Sequence, residues 1–305
     1  MSTPWILDTD PGIDDALALF YLLGEASVEL VGLTTVFGNV DIDRTTRNAL
    51  QLLELAEHPA WVARGASGPL QIVPNPPADF VHGAEGLGDE QLPPPTLTAH
   101  AQAAAQAIVE ASTRMDNLHL APVGPLTNVA QALQLEPKLV GQIAGLTIMG
   151  GNLDSQGNVS QHAEANIWND PHAARQVLRA GWPIRLVGLD CTSTIQLTES
   201  DFEDLPGNAG QILRRAAGSY IEFYRSQGFQ GCQLHDPAAV MAGISPELFE
   251  WETTGVDVIC EGADVGRVVR DASAPPIQVA MGCDVPAVKA RFLSRLKSTL
   301  ERLSR

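Results

Sequence analysis

Asp8, Asp10, Asp14 and Asp15 fall within one short stretch, Asp8-Thr9-Asp10-Pro11-Gly12-Ile13-Asp14-Asp15. An apolar run, Trp5-Ile6-Leu7, precedes them, and a helical pattern from Ala16 to Leu23 follows. Four carboxylates therefore crowd a strand-to-helix turn. Like charges at that density repel, and each raises its neighbours' pKa unless a cation neutralises them. Hard oxygen donors suit Ca²⁺ or Mg²⁺ rather than zinc. Helix capping accounts for one or two aspartates at such a turn, but not for four.

Two further groups carry chemistry. Asn158, Glu164, Asn166 and Asn169 lie close in sequence, and amides beside a carboxylate both donate to and accept from the vicinal hydroxyls of a sugar. Asparagines also simply favour loops. In His235-Asp236-Pro237 the aspartate either caps a helix or completes a metal site begun at the N-terminal turn. A histidine of ordinary pKa titrates near neutrality, which makes His235 a candidate general acid; the alternative is a structural hydrogen-bonder.

The elements that must position these groups alternate short β-like runs with longer helical ones, the signature of a mainly parallel sheet covered by helices. Strands are expected at 5–7, 28–36, 61–63, 118–121, 146–149 and 184–187. Later ones, around 256–260, 266–270 and 277–280, have room to run antiparallel. Helices are expected at 42–57, 99–112, 127–135, 171–179, 208–227, 238–242 and 285–303, with Thr127-Asn128 and Asp170 as caps. Residues 65–98 are proline-rich and irregular; loops of that length are usually functional or disordered, and 81–89 is a candidate flap. Asp8 and Asp10, Asn39, Val123-Gly124, the loop 150–158 and Asp190 each follow an expected strand. Ligands of open parallel sheets bind at the carboxyl ends of strands, so these groups should converge on one rim.

Composition narrows the partners. The 305 residues, 45% hydrophobic, suffice for one large α/β domain, read here as residues 1–305. A net charge of −17 and a pI near 4.7 argue against nucleic acid and anionic membranes. With only Lys138, Lys289 and Lys297 present, a lysine-based phosphate site is not expected. No run approaches the roughly 18 apolar residues of a membrane span, and no basic segment with an apolar stretch marks a signal peptide. Cys191, Cys232, Cys260 and Cys283 are widely spaced and read as reduced thiols of a cytoplasmic protein.

The residues 8–16 resemble the N-terminal fingerprint of the nucleoside hydrolases, the inosine-uridine preferring family. The resemblance continues through Thr35-Val36-Phe37-Gly38-Asn39, His82-Gly83 with Gly86-Leu87-Gly88, and Gly124-Pro125-Leu126-Thr127-Asn128-Val129-Ala130. It ends with Met149-Gly150-Gly151, Gly157-Asn158-Val159, Ala163-Glu164-Ala165-Asn166-Ile167, Asp170-Pro171 and His235-Asp236-Pro237. Beyond residues 8–16, seven such segments in the right order, with 163–171 taken as one, leave chance negligible. The resemblance implies an open, mainly parallel central β-sheet flanked by helices, with a Rossmann-like core. It also implies a tightly bound Ca²⁺, hydrolysis of the N-glycosidic bond of purine or pyrimidine ribonucleosides, and a homodimer or homotetramer.

Carried over by position, it puts Asp10, Asp15, Asp236 and the Val123 carbonyl on calcium, with Asp10 also the base for the attacking water. Asp14, Asn158, Glu164, Asn166 and Asp236 would hold the ribose hydroxyls, Asn39 would brace the nucleophile's surroundings, and Asp8 would support from behind. His82 and His235 would sit near the base, His235 protonating a departing purine. Many members place an aromatic between the Glu and Asn of the E-x-N segment where this chain has Ala165; Phe223, Tyr224 and Gln227 are the candidates to supply the base side instead. Dehalogenase-like phosphatases also begin strand-D-x-D, but they continue Gly-Thr and need a downstream lysine. A calcium-stabilised nucleoside- or ribose-binding protein without turnover is the alternative from a different class.

Overall fold

The computed structural model describes residues 2–88 and 90–305; Asp89, the last residue of the candidate flap, lies outside the described residues. Eleven strands follow one another among the described residues: β1 (Thr3–Thr9), β2 (Val28–Thr35), β3 (Trp61–Arg64), β4 (His119–Pro122), β5 (Gly145–Met149), β6 (Ile184–Val187), β7 (Gln196–Leu197), β8 (Cys232–Gln233), β9 (Phe249–Val258), β10 (Val268–Arg270) and β11 (Pro276–Cys283). Nine form one sheet in the order β10-β9-β11-β6-β5-β4-β1-β2-β3, while β7 and β8 pair separately. All neighbours in the large sheet are parallel except β9, which runs antiparallel to both β10 and β11.

Numbered outward from β1, the sheet runs 2-3 on one side and 4-5-6 on the other. Strand order therefore reverses between β1 and β4, the topological switch point at which open α/β sheets leave a crevice for ligands. Asp10 leaves β1 and Val123 leaves β4 at that crevice. Side chains alternate along β1, as a strand requires: Trp5 and Leu7 join one buried apolar cluster, and Ile6 joins the other across the sheet. Both faces are covered, which is why β1 reads as an unbroken apolar run.

The helix Ile13–Leu22 is buried at every position and packs against the helices Asp236–Ile244, Gly207–Ser226 and Val285–Leu303. A helix apolar all round belongs in a core, and this one carries Asp14 and Asp15 in its first turn.

The differences from expectation have local causes. The helix expected at 99–112 is Ala104–Arg114, because the chain before it is held in other bonds. The His100 amide donates to the Val62 carbonyl at 2.6 Å, and the Leu97 amide to Glu54 Oε1 at 2.6 Å. Thr127 and Asn128 do not cap their helix, whose N-cap is Leu126. The Thr127 hydroxyl donates to Asp170 and the Asn128 amide to Asp8, both at 2.7 Å. β9 begins at Phe249, well before the expected 256, and β11 runs antiparallel to β9 but parallel to β6. Among the described residues all four cysteines are free, Cys191 and Cys232 fully buried, and no helix is long and apolar enough to cross a membrane.

Candidate active site

The turn after β1 is folded around Asp15. One of its oxygens accepts the Thr9 hydroxyl and the Asp10 amide (3.2 Å); the other accepts the Gly12 amide (2.9 Å) and Asn39 Nδ2 (3.1 Å). Asn39 also donates its own amide to Asp10 Oδ2 at 2.8 Å and its side chain to the Asp10 carbonyl at 3.2 Å. Asp10, 2% exposed, is held against backbone. A Cβ at Gly124 would lie 2.5 Å from Asp10 Oδ1 and 2.8 Å from Val36 Cγ1, so the loop after β4 needs glycine there.

Asp14 Oδ2 accepts the Tyr220 hydroxyl at 3.2 Å, while its buried Oδ1 has no hydrogen-bond partner. Asp236 enters at the start of Asp236–Ile244, and oxygens of Asp14, Asp15 and Asp236 lie within 4.8 Å of one another. Two helix N-termini thus point at the cluster, and their dipoles favour negative charge.

That help is incomplete. Burial and, for Asp15, the charge of Asp14 push the carboxyls of Asp14 and Asp15 up to about 6. Burial and neighbouring carboxylates raise Asp10 and Asp236 well above the usual range. Among the described residues no lysine or arginine comes within ion-pair distance of any of the four; the nearest base is His82, 3.9 Å from Asp14 Oδ1. Asp8 stands behind the turn, held by Thr34 (2.6 Å) and Asn128 (2.7 Å), and burial lifts its carboxyl to about 7.

The sugar-side candidates form a second layer at the ends of β4 and β5. Glu164 caps the helix Ala165–Asn169, its carboxylate accepting the amides of Gly151 (2.9 Å), Asn166 (2.8 Å) and Ile167 (3.1 Å). Asn166 Nδ2 donates to the Val123 carbonyl at 2.7 Å and the Met149 carbonyl at 3.2 Å, joining this layer to the acid cluster. Asn158 is exposed, its side-chain Oδ1 accepting the Ala165 amide at 3.0 Å. Asp190, which sequence position also brought to the rim, accepts the amides of Leu153, Asp154 and Ser155 and fixes the loop that carries Asn158.

Tyr220, Phe223, Tyr224 and Gln227 follow one another along Gly207–Ser226 and its C-cap. The Tyr220 ring lies 5.4 Å from His82. The Tyr224 hydroxyl is 2.8 Å from His235 Nε2, and Thr192 Oγ1 is 2.8 Å from its Nδ1. Burial lowers His235 to about 4, so the expectation of an unperturbed ring needs correction: at neutral pH it rests uncharged. Phe223 is half-buried, edge-on to Phe80 at 6.0 Å, and Phe80 is 73% exposed. Gln227 is exposed and bonds to Ser226 Oγ at 3.1 Å.

A family model described as inosine-uridine preferring nucleoside hydrolase matches residues 5–290. The chain belongs to that family. It is 38% identical over 302 residues to uridine nucleosidase 1 of Arabidopsis thaliana, covering 93% of this chain and 90% of the relative. It is 37% identical to the pyrimidine-specific ribonucleoside hydrolase RihA of an Enterobacter species, over 86% and 85% of the two chains. A purine-preferring ribonucleoside hydrolase from Gardnerella vaginalis has the same fold at a TM-score of 0.95, with 34% identity and coverage of 98% and 100%.

This nucleoside hydrolase is therefore an enzyme that cleaves N-glycosyl bonds of ribonucleosides. Its acid cluster has the donor set of a metal site: hard carboxylate oxygens, mutual repulsion, and one orphaned buried oxygen on Asp14. The sequence did not single out Thr9, Tyr220 or Thr192, which bond to Asp15, Asp14 and His235, or Asn48, which bonds to the Pro11 carbonyl beside Asp10. For Tyr220 a signal existed: it precedes Tyr224 by one helical turn, a spacing that core aromatics share.

Proposed function

We propose that the chain is a calcium-dependent ribonucleoside hydrolase in which Asp10 takes the proton of the attacking water. The observation that carries this reading is the buried trio Asp14, Asp15 and Asp236 at the switch point of the sheet, beside Asp10 and, among the described residues, with no lysine or arginine paired to it. Asp10, Asp15, Asp236 and the Val123 carbonyl would hold the ion. Calcium, when bound, supplies the positive charge that balances these carboxylates and orients water and the 2′ and 3′ hydroxyls.

The protein's own part follows from the reaction. Water adds to the anomeric carbon as the bond to the base nitrogen breaks and its electron pair leaves with the base. Positive charge develops on the ribose in an oxocarbenium-like transition state. Asp14, Asn158, Glu164, Asn166 and Asp236 ring the sugar with carboxylate and amide oxygens whose positions are fixed before reaction, the arrangement that stabilises such charge most. Asn39 keeps Asp10 in place through its two bonds to that residue. His82, Phe223 and Gln227 face the base, and His235 assists its departure by passing it a proton. The half-buried Phe223 and exposed Phe80 supply the aromatic surface that Ala165 does not.

The cation requirement has a test independent of turnover. Asp14 and Asp15 sit near 6 in the folded protein against an ordinary 3.8, so between those values the native state binds more protons than the unfolded chain. Stability without a cation therefore falls as pH rises through that window, and the loss is complete above it. Saturating calcium removes the penalty and competes with the protons. Melting curves should show a calcium-induced rise of about 5 °C at about pH 7.5 with a hundredfold excess over Kd, shrinking toward zero near pH 4. A rise independent of pH would contradict the assignment.

A further inference from the structure

We infer that Asn48 is a positioning residue that sets the His82 loop over the acid cluster, an inference that rests on the hydrolase reading above. Asn48, 2% exposed on the helix Ile42–Leu55, donates from one nitrogen to two carbonyls. One is Pro11, directly after Asp10, at 3.1 Å; the other is Glu85, three residues after His82, at 2.8 Å. The carboxamide is the uncharged group of that size with two N–H donors on one atom. Aspartate would set oxygen against oxygen, and alanine would leave the buried Pro11 carbonyl and the part-buried Glu85 carbonyl without this partner.

The loop is shaped to receive this clasp. Gly86 has φ +92, and a Cβ there would lie 2.7 Å from Asn48 Nδ2 and 3.1 Å from the Pro11 carbonyl. The Gly86 amide donates to the Gly83 carbonyl at 3.0 Å and the Gly88 amide to the His82 carbonyl at 2.7 Å, which closes the loop on His82. His82 Nδ1 in turn accepts the Ile13 amide at 3.2 Å. Arg44 and Arg47 also reach the Glu85 carboxylate, but those side chains are each more than a third exposed, and such pairs contribute little. Beside the direct Ile13–His82 bond, the buried Asn48 amide ties the turn bearing Asp10 to the loop bearing His82.

Asp10 keeps its own bonds from Asn39 when the clasp is lost, whereas the His82 loop loses its buried tie, so the departing base is affected more than the sugar side. The loss of activity should therefore depend on the leaving group. Asn48→Ala should lower kcat/KM for inosine and uridine by roughly 10- to 100-fold, the scale of an ångström-sized misplacement. Hydrolysis of a riboside with an activated aryloxide, which departs without protonation, should change by less than about 3-fold. Gly86→Ala, breaking the clasp from the other side, should give the same selective loss, and the double variant should be no worse than the poorer single one. Asn48→Leu, of similar volume, serves if the alanine variant does not fold. Equal losses on both kinds of riboside, no loss on nucleosides, or additive losses would each overturn the inference. Wild-type protein that releases ribose from neither substrate overturns the hydrolase reading and this inference with it.

Discussion

Asp10→Asn should lower kcat for nucleosides by about 10²- to 10⁴-fold, the range over which a positioned general base contributes. The substitution is nearly isosteric, which matters because Asp10 is wedged beside Gly124 and receives the Asn39 amide. An asparagine oxygen can keep that bond while losing the charge that accepts a proton. Its effect on stability should run the other way. Asp10 is raised first by burial and then by the charge of Asp15, so the metal-free variant should melt higher than metal-free wild type at neutral pH. The calcium-dependent rise in melting temperature should shrink in parallel. Such a trade of stability for activity is common where a site concentrates like charge. Ribose release and paired melting curves check both halves; a variant that is fully active would remove Asp10 from the base role.

His235→Ala should reduce kcat for inosine by roughly 10²-fold, the lower end of general acid catalysis, with KM little changed. The geometry makes the histidine a conduit and not a stored charge. It lies between Thr192 and Tyr224, 2.8 Å from each, and burial keeps it neutral at rest. The ring takes a proton from solvent and, a strong acid once protonated, passes it through the Tyr224 hydroxyl to the departing nucleobase anion, while the proton Asp10 takes from the attacking water returns to solvent. Tyr224→Phe should therefore reproduce part of the loss. Unchanged kcat for inosine in His235→Ala would remove His235 from the acid role.

Much of this site was legible because its chemistry is concentrated in short segments. Four aspartates at one strand-to-helix turn point to a site that could hold a metal ion whatever the fold. The alternation of strands and helices then brings the ends of β1, β2, β4 and β5 to one rim. What the sequence could not reveal is pairing between distant segments. Thr192 meets His235 and Tyr220 meets Asp14, yet each looks ordinary in its own stretch, a hydroxyl in a short helix and an aromatic at core spacing. The resting charge of His235 was misjudged for a related reason. Burial decides it, and burial depends on how the helices Gly207–Ser226 and Asp236–Ile244 pack. The start of the helix Ala104–Arg114 shows the same limit at the backbone level, since bonds to β3 and Glu54 outweigh the helix propensity of the preceding alanines.

Hydrolysis of ribonucleosides at the acid cluster should depend on a bound cation. The most direct test is to incubate the protein with inosine, uridine, cytidine and adenosine, each with and without a chelator, and to measure free reducing sugar. Ribose should be released from at least one nucleoside, cease with the chelator and return when calcium is restored. Ribose from none of the four, or release that the chelator leaves untouched, would contradict the account.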